Sequence, residues 1–237
     1  MTDSADHEIV VPTPAHDLFG DRVELATQYV TMLRLYGSQR GLIGPREVDR
    51  LWDRHILNAA AIAELIPAGS SVVDVGSGAG LPGVPLAIAR PDLDIVLLEP
   101  MARRVAWLEE VTTRLGLQAS VVRGRAEERS VREQCGRFDV VTGRALAPLG
   151  KLSGWCLPLA RPGGVVLAMK GASAADEVSR DEGVMRANGA RDIRVVQCGS
   201  EGLADPVTVV SMRRTKSVSK PRRGSRATTG TRGRRGK

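Results

Sequence analysis

The sequence has few cysteines and no long apolar run, and both absences exclude classes of protein. Its three cysteines, Cys135, Cys156 and Cys198, are an odd number and form no CxxC pair, so neither a disulfide framework nor a zinc site is indicated. The longest apolar stretches, such as IVLL at 95–98, fall far short of the roughly 20 residues that cross a bilayer. Residues 1–20 are acidic and contain proline, unlike an export signal. We expect a soluble protein of a reducing cytoplasm, with no bound metal and no membrane partner.

Aromatic residues are also scarce, at 3% of the 237 residues. RNA-recognition sheets that hold bases by stacking depend on aromatic side chains, so this mode of binding is disfavoured. We expect Trp107 and Trp155 to belong to the core rather than to a base-stacking surface. The two tyrosines, Tyr29 and Tyr36, precede the first predicted strand. The proton donor of a nicotinamide-dependent oxidoreductase is expected at the end of a strand, and neither tyrosine is in such a position.

Acidic residues are absent from the last stretch of the chain, residues 213–237, which contains eleven of the 34 Lys and Arg residues. Residues 1–212 carry 23 basic against 27 acidic side chains, a net charge of −4, so the overall charge of +7 belongs to the tail. A tail whose large apolar residues amount to one valine is expected to be disordered. Its charge attracts polyanions through phosphate contacts without reading sequence, or serves solubility alone.

The rest of the chain has the pattern of an α/β protein. A hydrophobic content of 42% is enough to fill a core. Residues 17–36 and 45–66 space their apolar positions helically, and Pro45 suits a first helical turn. After Pro67, short apolar strands alternate with helices, which predicts a mainly parallel, right-handed, doubly wound sheet. The predicted strands are 71–76, 94–99, 119–124, 138–143, 165–170, 193–198 and 207–212, and the predicted helices 83–90, 101–115 and 174–188.

On this pattern the chain divides into four parts. They are a flexible N-terminus at 1–16, N-terminal helices at 17–66, a Rossmann-like core at 67–212 and the disordered basic tail at 213–237. Sheets of this kind bind ligands beyond the carboxyl ends of their strands. The candidate site residues are therefore those that follow the strands, namely 76–81, Glu99, 125–127 and Arg144.

A glycine-rich turn follows the first predicted strand, in VVDVGSGAGLPG at 72–83. Gly76, Gly78 and Gly80 let the backbone turn sharply and approach a ligand, and the helix that follows presents free N–H groups. The spacing is GxGxG, so the third glycine comes one place too early for the GxGxxG fingerprint of dinucleotide binding. The turn predicts a ligand site of another kind.

Two carboxylates near this turn narrow the choice of ligand. Glu99 ends the second predicted strand, 25 residues after Asp74, where it can accept hydrogen bonds from both hydroxyls of a ribose. NAD and S-adenosylmethionine both contain such a ribose. Asp74 would repel a pyrophosphate but suits the ammonium or the sulfonium-bearing methionine part of S-adenosylmethionine; alternatively, it braces the glycine loop through backbone N–H groups. We therefore expect S-adenosylmethionine as the cofactor.

A series of motifs resembles the glucose-inhibited division protein B family, methyltransferases of 16S ribosomal RNA that act on guanine N7. The motifs occur in the family's order between about residues 44 and 171: GPREVDRLWDRHILNA, DVGSGAGLPGVPLAIARP, LLEPMARRVAWLEEV, RAEE, GRALAPL and LAMKG. The resemblance implies a class I S-adenosylmethionine-dependent methyltransferase fold. It also implies, as substrate, a guanine in the 530 loop of the small-subunit RNA, near the decoding and streptomycin sites. The tail at 213–237 lies outside this pattern.

The same resemblance implies cofactor contacts at Gly76, Leu81, Ala126, Glu127 and Arg144, which match the family's motif positions. Ala126 and Glu127 follow the third strand and would read the adenine edge, unless they form the N-cap region of the next helix. Arg144 would bind the cofactor carboxylate or an RNA phosphate, unless it forms an ordinary salt bridge.

Methyl transfer to guanine N7 needs no general base, because N7 carries a lone pair and no proton. The enzyme's task is then alignment and desolvation. The candidate catalytic residues are Arg144, Lys170 and His55. His55 lies on the apolar side of its helix, where a packed histidine competes with a catalytic one. Lys170 ends a strand at the same rim, where we expect it to contact RNA or the substrate base unless it is a solvated lysine. Arg103 and Arg104 are expected on an exposed helix face.

Three other functions remain open. A nicotinamide-dependent oxidoreductase would need the GxGxxG spacing and a proton donor at a strand end. A noncatalytic RNA-binding protein would keep the methyltransferase-like fold and be recruited through the tail. A small-molecule methyltransferase would have little use for that tail. We favour an RNA methyltransferase over all three. We expect its partner to be 16S rRNA or the 30S subunit, and we expect the protein to be a monomer.

Overall fold

A seven-stranded sheet forms the centre of the computed structural model, which describes residues 9–199 and 202–215. The strands are β1 Ser71–Val75, β2 Asp94–Glu99, β3 Ala119–Arg123, β4 Phe138–Arg144, β5 Ala160–Lys170, β6 Ala190–Cys198 and β7 Val207–Arg214. Their order is β3-β2-β1-β4-β5-β7-β6; the first five are parallel, and β7 is antiparallel to β5 and β6. The prediction of a mainly parallel sheet is confirmed.

Eight α-helices accompany the sheet in the described residues. They are α1 Thr13–Phe19, α2 Val23–Tyr36, α3 Leu57–Ala61, α4 Gly83–Ala89, α5 Ala102–Arg114, α6 Arg129–Cys135, α7 Leu149–Cys156 and α8 Ala174–Ala187. The pattern predicts α4, α5 and α8 to within one residue at each end. It misses α6 and α7 because α6 buries a single side chain, Val131, and α7 contains two glycines, which weaken the helical signal.

The N-terminal helices are less regular than the spacing predicts. Gly20, with a φ of +50°, interrupts the helix predicted at 17–36, and a 3-10 turn at Gly20–Arg22 separates α1 from α2. The segment predicted as one helix at 45–66 changes geometry along its length. It runs through a 3-10 helix at Pro45–Arg50, a π-helix at Leu51–Ile56, α3, and a second 3-10 turn at Ile62–Leu65.

The two faces of the sheet bury separate clusters, because alternate strand residues point to opposite sides. One face packs the N-terminal helices together with α4 and α5 against residues such as Val72, Leu97 and Val140. The other face packs α6, α7 and α8 against neighbours such as Val73 and Val141. The N-terminal helices therefore share a core with the sheet.

β5 and β6 begin at Ala160 and Ala190, five and three residues before the predicted strands, and two boundaries between the predicted parts of the chain also shift. α1 begins at Thr13, so the last four residues of the N-terminus predicted as flexible at 1–16 are helical; residues 1–8 lie outside the described part. β7 continues to Arg214, so the first two residues assigned to the basic tail pair with β6. The remainder of the predicted tail, from 216, lies outside the described residues. No helix in the described part of the chain has the length and apolar character needed to cross a membrane.

Candidate cofactor and substrate site

A cavity of about 550 Å³ opens at the carboxyl ends of β1, β2 and β4. β1 and β4 are neighbours in the sheet although β2 and β3 separate them in the chain. The strand order therefore reverses between β1 and β4, and the chain segments that follow these two strands pass to opposite faces of the sheet, which is where ligands bind in such folds. The walls come from the segment 42–47 with His55, from the glycine loop 76–81, and from residues that follow β2, β3 and β4. We call this space the first cavity.

Two buried aromatic side chains fix the glycine loop from inside the protein. The Tyr29 hydroxyl and the Trp107 indole N–H each donate a hydrogen bond to the carbonyl oxygen of Ala79, both at 2.8 Å. Gly80 has a φ of +108°, and a Cβ there would come within 2.6 Å of Val84 and 2.9 Å of the Tyr29 hydroxyl. A larger residue at position 80 would collide with the groups that hold the loop. Trp107 is buried, as the sequence predicts.

Gly78 differs from Gly80 because space is open around it. Its φ is +59°, and the nearest atom to a Cβ added there would be the Gly76 carbonyl oxygen, 3.7 Å away. Gly76, Gly78 and Leu81 line the first cavity, whereas Gly80 is turned toward Val84 and Tyr29 and is not part of the cavity wall, so its contact with the cofactor stays a prediction. The loop therefore presents backbone to the cavity at Gly78 without any side chain in the way.

Glu99 lies at the end of β2, on the wall of the first cavity. One carboxylate oxygen accepts the Gly78 N–H at 2.9 Å and the other accepts the Met101 N–H at 2.9 Å. Each oxygen keeps a further lone pair, because a carboxylate offers about four acceptor sites. The structure thus places Glu99 where a ribose carboxylate was expected, and its contact with a ribose stays a prediction.

Asp74 does not reach the cavity wall. Its side chain is fully buried behind the loop, and Oδ2 accepts the Gly83 N–H at the start of α4, at 2.9 Å. Oδ1 has no hydrogen-bond partner among the described residues. Burial raises the pKa of this carboxyl group to about 7. The geometry supports the bracing role considered for Asp74, and direct contact with a ligand stays a prediction.

Three polar side chains from distant parts of the chain meet beside the loop. Arg144 ends β4, and its Nη2 hydrogen-bonds to Nδ1 of His55 in the π-helix. The other ring nitrogen of His55, Nε2, lies 2.8 Å from a carboxylate oxygen of Glu47. All three residues line the first cavity. Arg144 Nη1 is buried and has no hydrogen-bond partner in the described part of the chain.

The chemistry of these contacts determines the tautomer of His55. Burial, followed by the charge of Arg144, lowers the pKa of His55 to about 4, so the ring is neutral near pH 7. Because a guanidinium donates and does not accept, Nδ1 must be the acceptor and the single ring proton is on Nε2, where it is donated to Glu47. Both nitrogens are occupied. His55 therefore holds Arg144 in place and has no free lone pair with which to remove a proton.

The residues expected at the adenine ring do not line the first cavity. Ala126 is buried, with its carbonyl oxygen accepting Nε of Arg132 at 2.7 Å, and Glu127 is exposed near Arg125. Arg125 is the residue of this segment that lines the cavity. The next helix, α6, starts two residues after Glu127 and has Glu128 as its N-cap residue. Contact of Ala126 and Glu127 with the cofactor stays a prediction.

The position of Arg104 differs from the exposed helix face that was predicted for it. Arg103 is exposed as expected, but Arg104, in the first turn of α5, is half-buried and lines the first cavity. Sequence reasoning also missed Glu47 and the loop-holding role of Tyr29. No local signal identifies them, because Tyr29 lies 50 residues before the carbonyl that it binds, and only folding brings the two together.

A second cavity of about 650 Å³ adjoins the first and shares Arg144 and Ala145 with it. Lys170, at the end of β5, lines this second cavity and not the first. Its ammonium group donates to a carboxylate oxygen of Glu177 and to the carbonyl oxygen of Ala147, both at 2.8 Å. Of the three candidate catalytic residues, Arg144 and His55 thus lie together, and Lys170 lies on the far side of Arg144.

Comparisons with known proteins agree with this geometry. The sequence model of the GidB family, described as rRNA small subunit methyltransferase G, matches residues 22–205. A protein of Mycolicibacterium paratuberculosis named ribosomal RNA small subunit methyltransferase G is 57% identical over 205 residues, which are 86% of this chain and 83% of that protein. Its namesake in Mycobacterium marinum is 56% identical over 91% of this chain and 95% of that protein.

Solved structures resemble the fold at low sequence identity. The M. jannaschii protein TYW2, in complex with AdoMet, aligns with a TM-score of 0.52 at 16% identity, covering 70% of this chain and 78% of that chain. Aeropyrum pernix fibrillarin, with natively bound S-adenosyl-L-methionine, aligns with a TM-score of 0.51 at 16% identity, covering 67% and 74%. The fold is that of the S-adenosylmethionine-dependent methyltransferases.

Proposed function

The chain belongs to the family of rRNA small subunit methyltransferase G, and on that premise we propose that it transfers a methyl group from S-adenosylmethionine to N7 of a guanine in the 530 loop of 16S rRNA. The names of the relatives support the RNA of the small subunit as substrate. The motif resemblance supports the base and the atom. The substrate is 16S rRNA or a 30S particle, met in the cytoplasm.

The observation that carries this proposal is the arrangement of Glu99, Gly78 and Arg144 around the first cavity. The residues fit an S-adenosylmethionine molecule: Glu99 has free lone pairs for ribose hydroxyls, and the Gly78 backbone leaves room for close approach. The unpartnered Nη1 of Arg144 can donate to the cofactor carboxylate. A cavity of about 550 Å³ is also in the range of sites that bury small ligands.

When bound, S-adenosylmethionine supplies a methyl carbon on a positively charged sulfur, and its transfer to N7 moves that charge to the purine ring without releasing a proton. The site agrees with this chemistry because the side chains that could act as a general base already hold hydrogen bonds. His55 uses both ring nitrogens, Glu47 accepts from His55, and Glu99 accepts two backbone N–H groups. These residues orient the reactants and do not act as a general base.

The target base has a route of its own to the reaction centre. The second cavity meets the first at Arg144 and Ala145, so a base placed there lies next to the cofactor site without entering it. Arg144 lies at this junction and is held by His55, which keeps its position independent of either ligand. A base can enter only when it is unstacked and unpaired, as in the loops that RNA-binding proteins read in a sequence-specific way.

A methyl-transfer assay tests the proposal. Tritiated S-adenosylmethionine is incubated with the protein and either 30S subunits or protein-free 16S rRNA, and the labelled nucleoside is identified by mass spectrometry. We expect N7-methylguanosine, and its loss in Glu99→Ala. Cofactor binding without transfer to either RNA would contradict the RNA substrate and favour a small-molecule methyltransferase. Absence of cofactor binding would favour a noncatalytic RNA-binding protein.

A further inference from the structure

The second cavity carries an ion pair that no step of the chemistry above uses. Lys170 is the last residue of β5, and Glu177 lies in the first turn of α8, so the pair bridges the end of the sheet and the next helix. The Nζ to Oε2 distance is 2.8 Å, and the two side chains are 10% and 19% exposed. Both residues line the second cavity beside Arg144. Lys170 and Glu177 can therefore contact a ligand that enters the second cavity.

The hydrogen-bonding capacity of the pair is not exhausted. The Lys170 ammonium has three protons and uses two, one to Glu177 and one to the Ala147 carbonyl oxygen. The Glu177 carboxylate uses Oε2, and Oε1 has no partner among the described residues. One donor and at least one acceptor group therefore remain side by side for a ligand.

This donor and acceptor match the Watson–Crick edge of guanine. That edge presents the N1–H and N2–H groups as adjacent donors and O6 as an acceptor. We propose that Glu177 accepts from N1–H and N2–H of the target guanine while Lys170 donates to O6. The inference rests on the function proposed above and assigns the base-reading residues to it. Adenine presents an acceptor at N1 and no donor at C2, so it would offer Glu177 no hydrogen bond in place of those from guanine.

Reading guanine from this edge leaves N7 free for the reaction. An arginine that binds O6 and N7 together, the common mode of guanine recognition in DNA, would occupy the lone pair that must attack. N1 and N2 lie on the side of the purine away from N7, and a single donor to O6 leaves the N7 lone pair free, so these contacts do not block the reaction. Arg144 is in addition held toward His55, which occupies one end of its guanidinium group.

The proposed hydrogen bond from N1–H to Glu177 favours the transition state over the bound substrate. As N7 gains the methyl group, the purine ring becomes positively charged and its N1–H becomes a stronger donor. The hydrogen bond to the Glu177 carboxylate therefore strengthens during the reaction, and an interaction that is stronger in the transition state raises kcat. A pair that only anchored α8 to β5 would not have this effect.

The test couples a change in the enzyme to a change in the base. The methylated guanine is first located with wild-type protein, and 16S rRNA is then assembled with inosine, which lacks the N2 amino group, at that position. Wild-type protein and Glu177→Ala are assayed on both RNAs. We expect inosine to lower kcat/KM about 10-fold for the wild type and less than about 2-fold for Glu177→Ala, whose missing carboxylate cannot sense the amino group.

Two further variants separate recognition from folding. Glu177→Gln keeps the size of the side chain and should lower kcat about 100-fold, with the dissociation constant of S-adenosylmethionine unchanged within about 2-fold. Glu182→Gln is the matched control, because Glu182 also lies on α8 and forms an ion pair, with Arg186, but lines neither cavity. It should leave both constants unchanged.

The outcomes are distinguishable. An equal cost of inosine in the wild type and in Glu177→Ala would overturn the base-reading role while leaving the methyltransferase function intact. Failure of the wild type to methylate guanine in any 16S rRNA substrate would overturn the proposed function and this assignment with it. Unequal costs of inosine, together with a fall in kcat for Glu177→Gln, would support the pair as the reader of the guanine.

Discussion

The two cavities that meet at Arg144 are built in different ways. The first presents backbone groups of the glycine loop, and that loop is fixed by Tyr29 and Trp107 from the core. The second presents charged side chains at the ends of β5 and α8, with Arg54 from the N-terminal helices nearby. A small cofactor gains from a site whose conformation is set before binding. An RNA base, delivered by a large anionic polymer, gains from charges that attract and orient it.

The first cavity depends on particular glycines, because its wall is made of backbone. Gly80 has no room for a Cβ, because the residues that hold the loop already occupy the space. Gly78 has the room but adopts a backbone conformation that side chains other than glycine rarely accept. Substitution at position 80 therefore disturbs folding, whereas substitution at position 78 disturbs the cavity. The second cavity has no comparable backbone constraint at Lys170 or Glu177.

The largest effect that we expect is loss of cofactor binding in Gly78→Asp. The new carboxylate would project into the cavity next to Glu99 and occupy space needed by the ligand, so the dissociation constant should rise by a factor on the order of 100 or more. Isothermal titration with S-adenosylmethionine measures it. Gly116→Asp is the matched control, with the same φ of +59° and open space around it, but outside the cavity. Tight binding by Gly78→Asp would mean that the cofactor lies elsewhere.

His55→Ala tests whether the junction between the cavities is held from the N-terminal helices. Arg144 would lose its acceptor, and Glu47 would keep Arg54 as a donor to Oε1 but lose the donor to Oε2. We expect kcat/KM for methyl transfer to fall about 10-fold to 100-fold. Glu47→Gln should change kcat/KM less than about 3-fold, because the amide oxygen of glutamine still accepts the Nε2 proton of His55. If His55→Ala proved less stable but equally active, His55 would be a core residue and not a positioning residue.

Removal of the residues that follow Thr215 tests where the attraction to RNA resides. The segment 216–237 contains nine Lys and Arg residues and no acid. Since neutralised phosphates release counterions, its loss should raise KM for RNA about 3-fold to 10-fold at low salt and flatten the dependence of KM on salt. The dissociation constant of S-adenosylmethionine should not change. An unchanged salt slope would leave the tail with a role in solubility alone.

The smallest expected effect is a pair of opposed pH dependences of stability. Asp74 has a pKa of about 7 in the folded protein, against an ordinary value of 3.8. Between these two pH values the folded state binds more protons than the unfolded state, so the free energy of unfolding falls as pH rises. His55 has a pKa of about 4 when folded and an ordinary value of 6.5, so the unfolded state binds more protons and the free energy of unfolding rises with pH.

The two slopes oppose each other between about pH 4 and pH 6.5, and single variants expose them. Asp74→Asn should leave a free energy of unfolding that rises by about 1 kcal/mol per pH unit, and His55→Gln one that falls by about as much. Urea titrations at several pH values measure both. Parallel slopes in the two variants would show that neither group controls the pH dependence.

Sequence patterns predicted the sheet well because its strands are short apolar runs with clear ends. The strands β1 to β4 begin at the predicted residues, and Glu99 lies at the strand end where the ribose carboxylate was expected. The patterns failed where structure depends on neighbours distant in the chain. Arg104 was expected on an exposed face because the periodicity of α5 cannot show that the first turn of the helix borders a cavity.

The sequence by itself determined the succession of the strands, the glycine turn and the family to which the chain belongs. These features are local or carried by motifs, so they can be read along the chain. The tertiary structure alone brought Glu47, His55 and Arg144 into contact and placed Lys170 beside Glu177 on the other side of Arg144. The reason is that such contacts follow from how helices pack on the two faces of the sheet, and side-chain chemistry without that packing does not specify which charges meet.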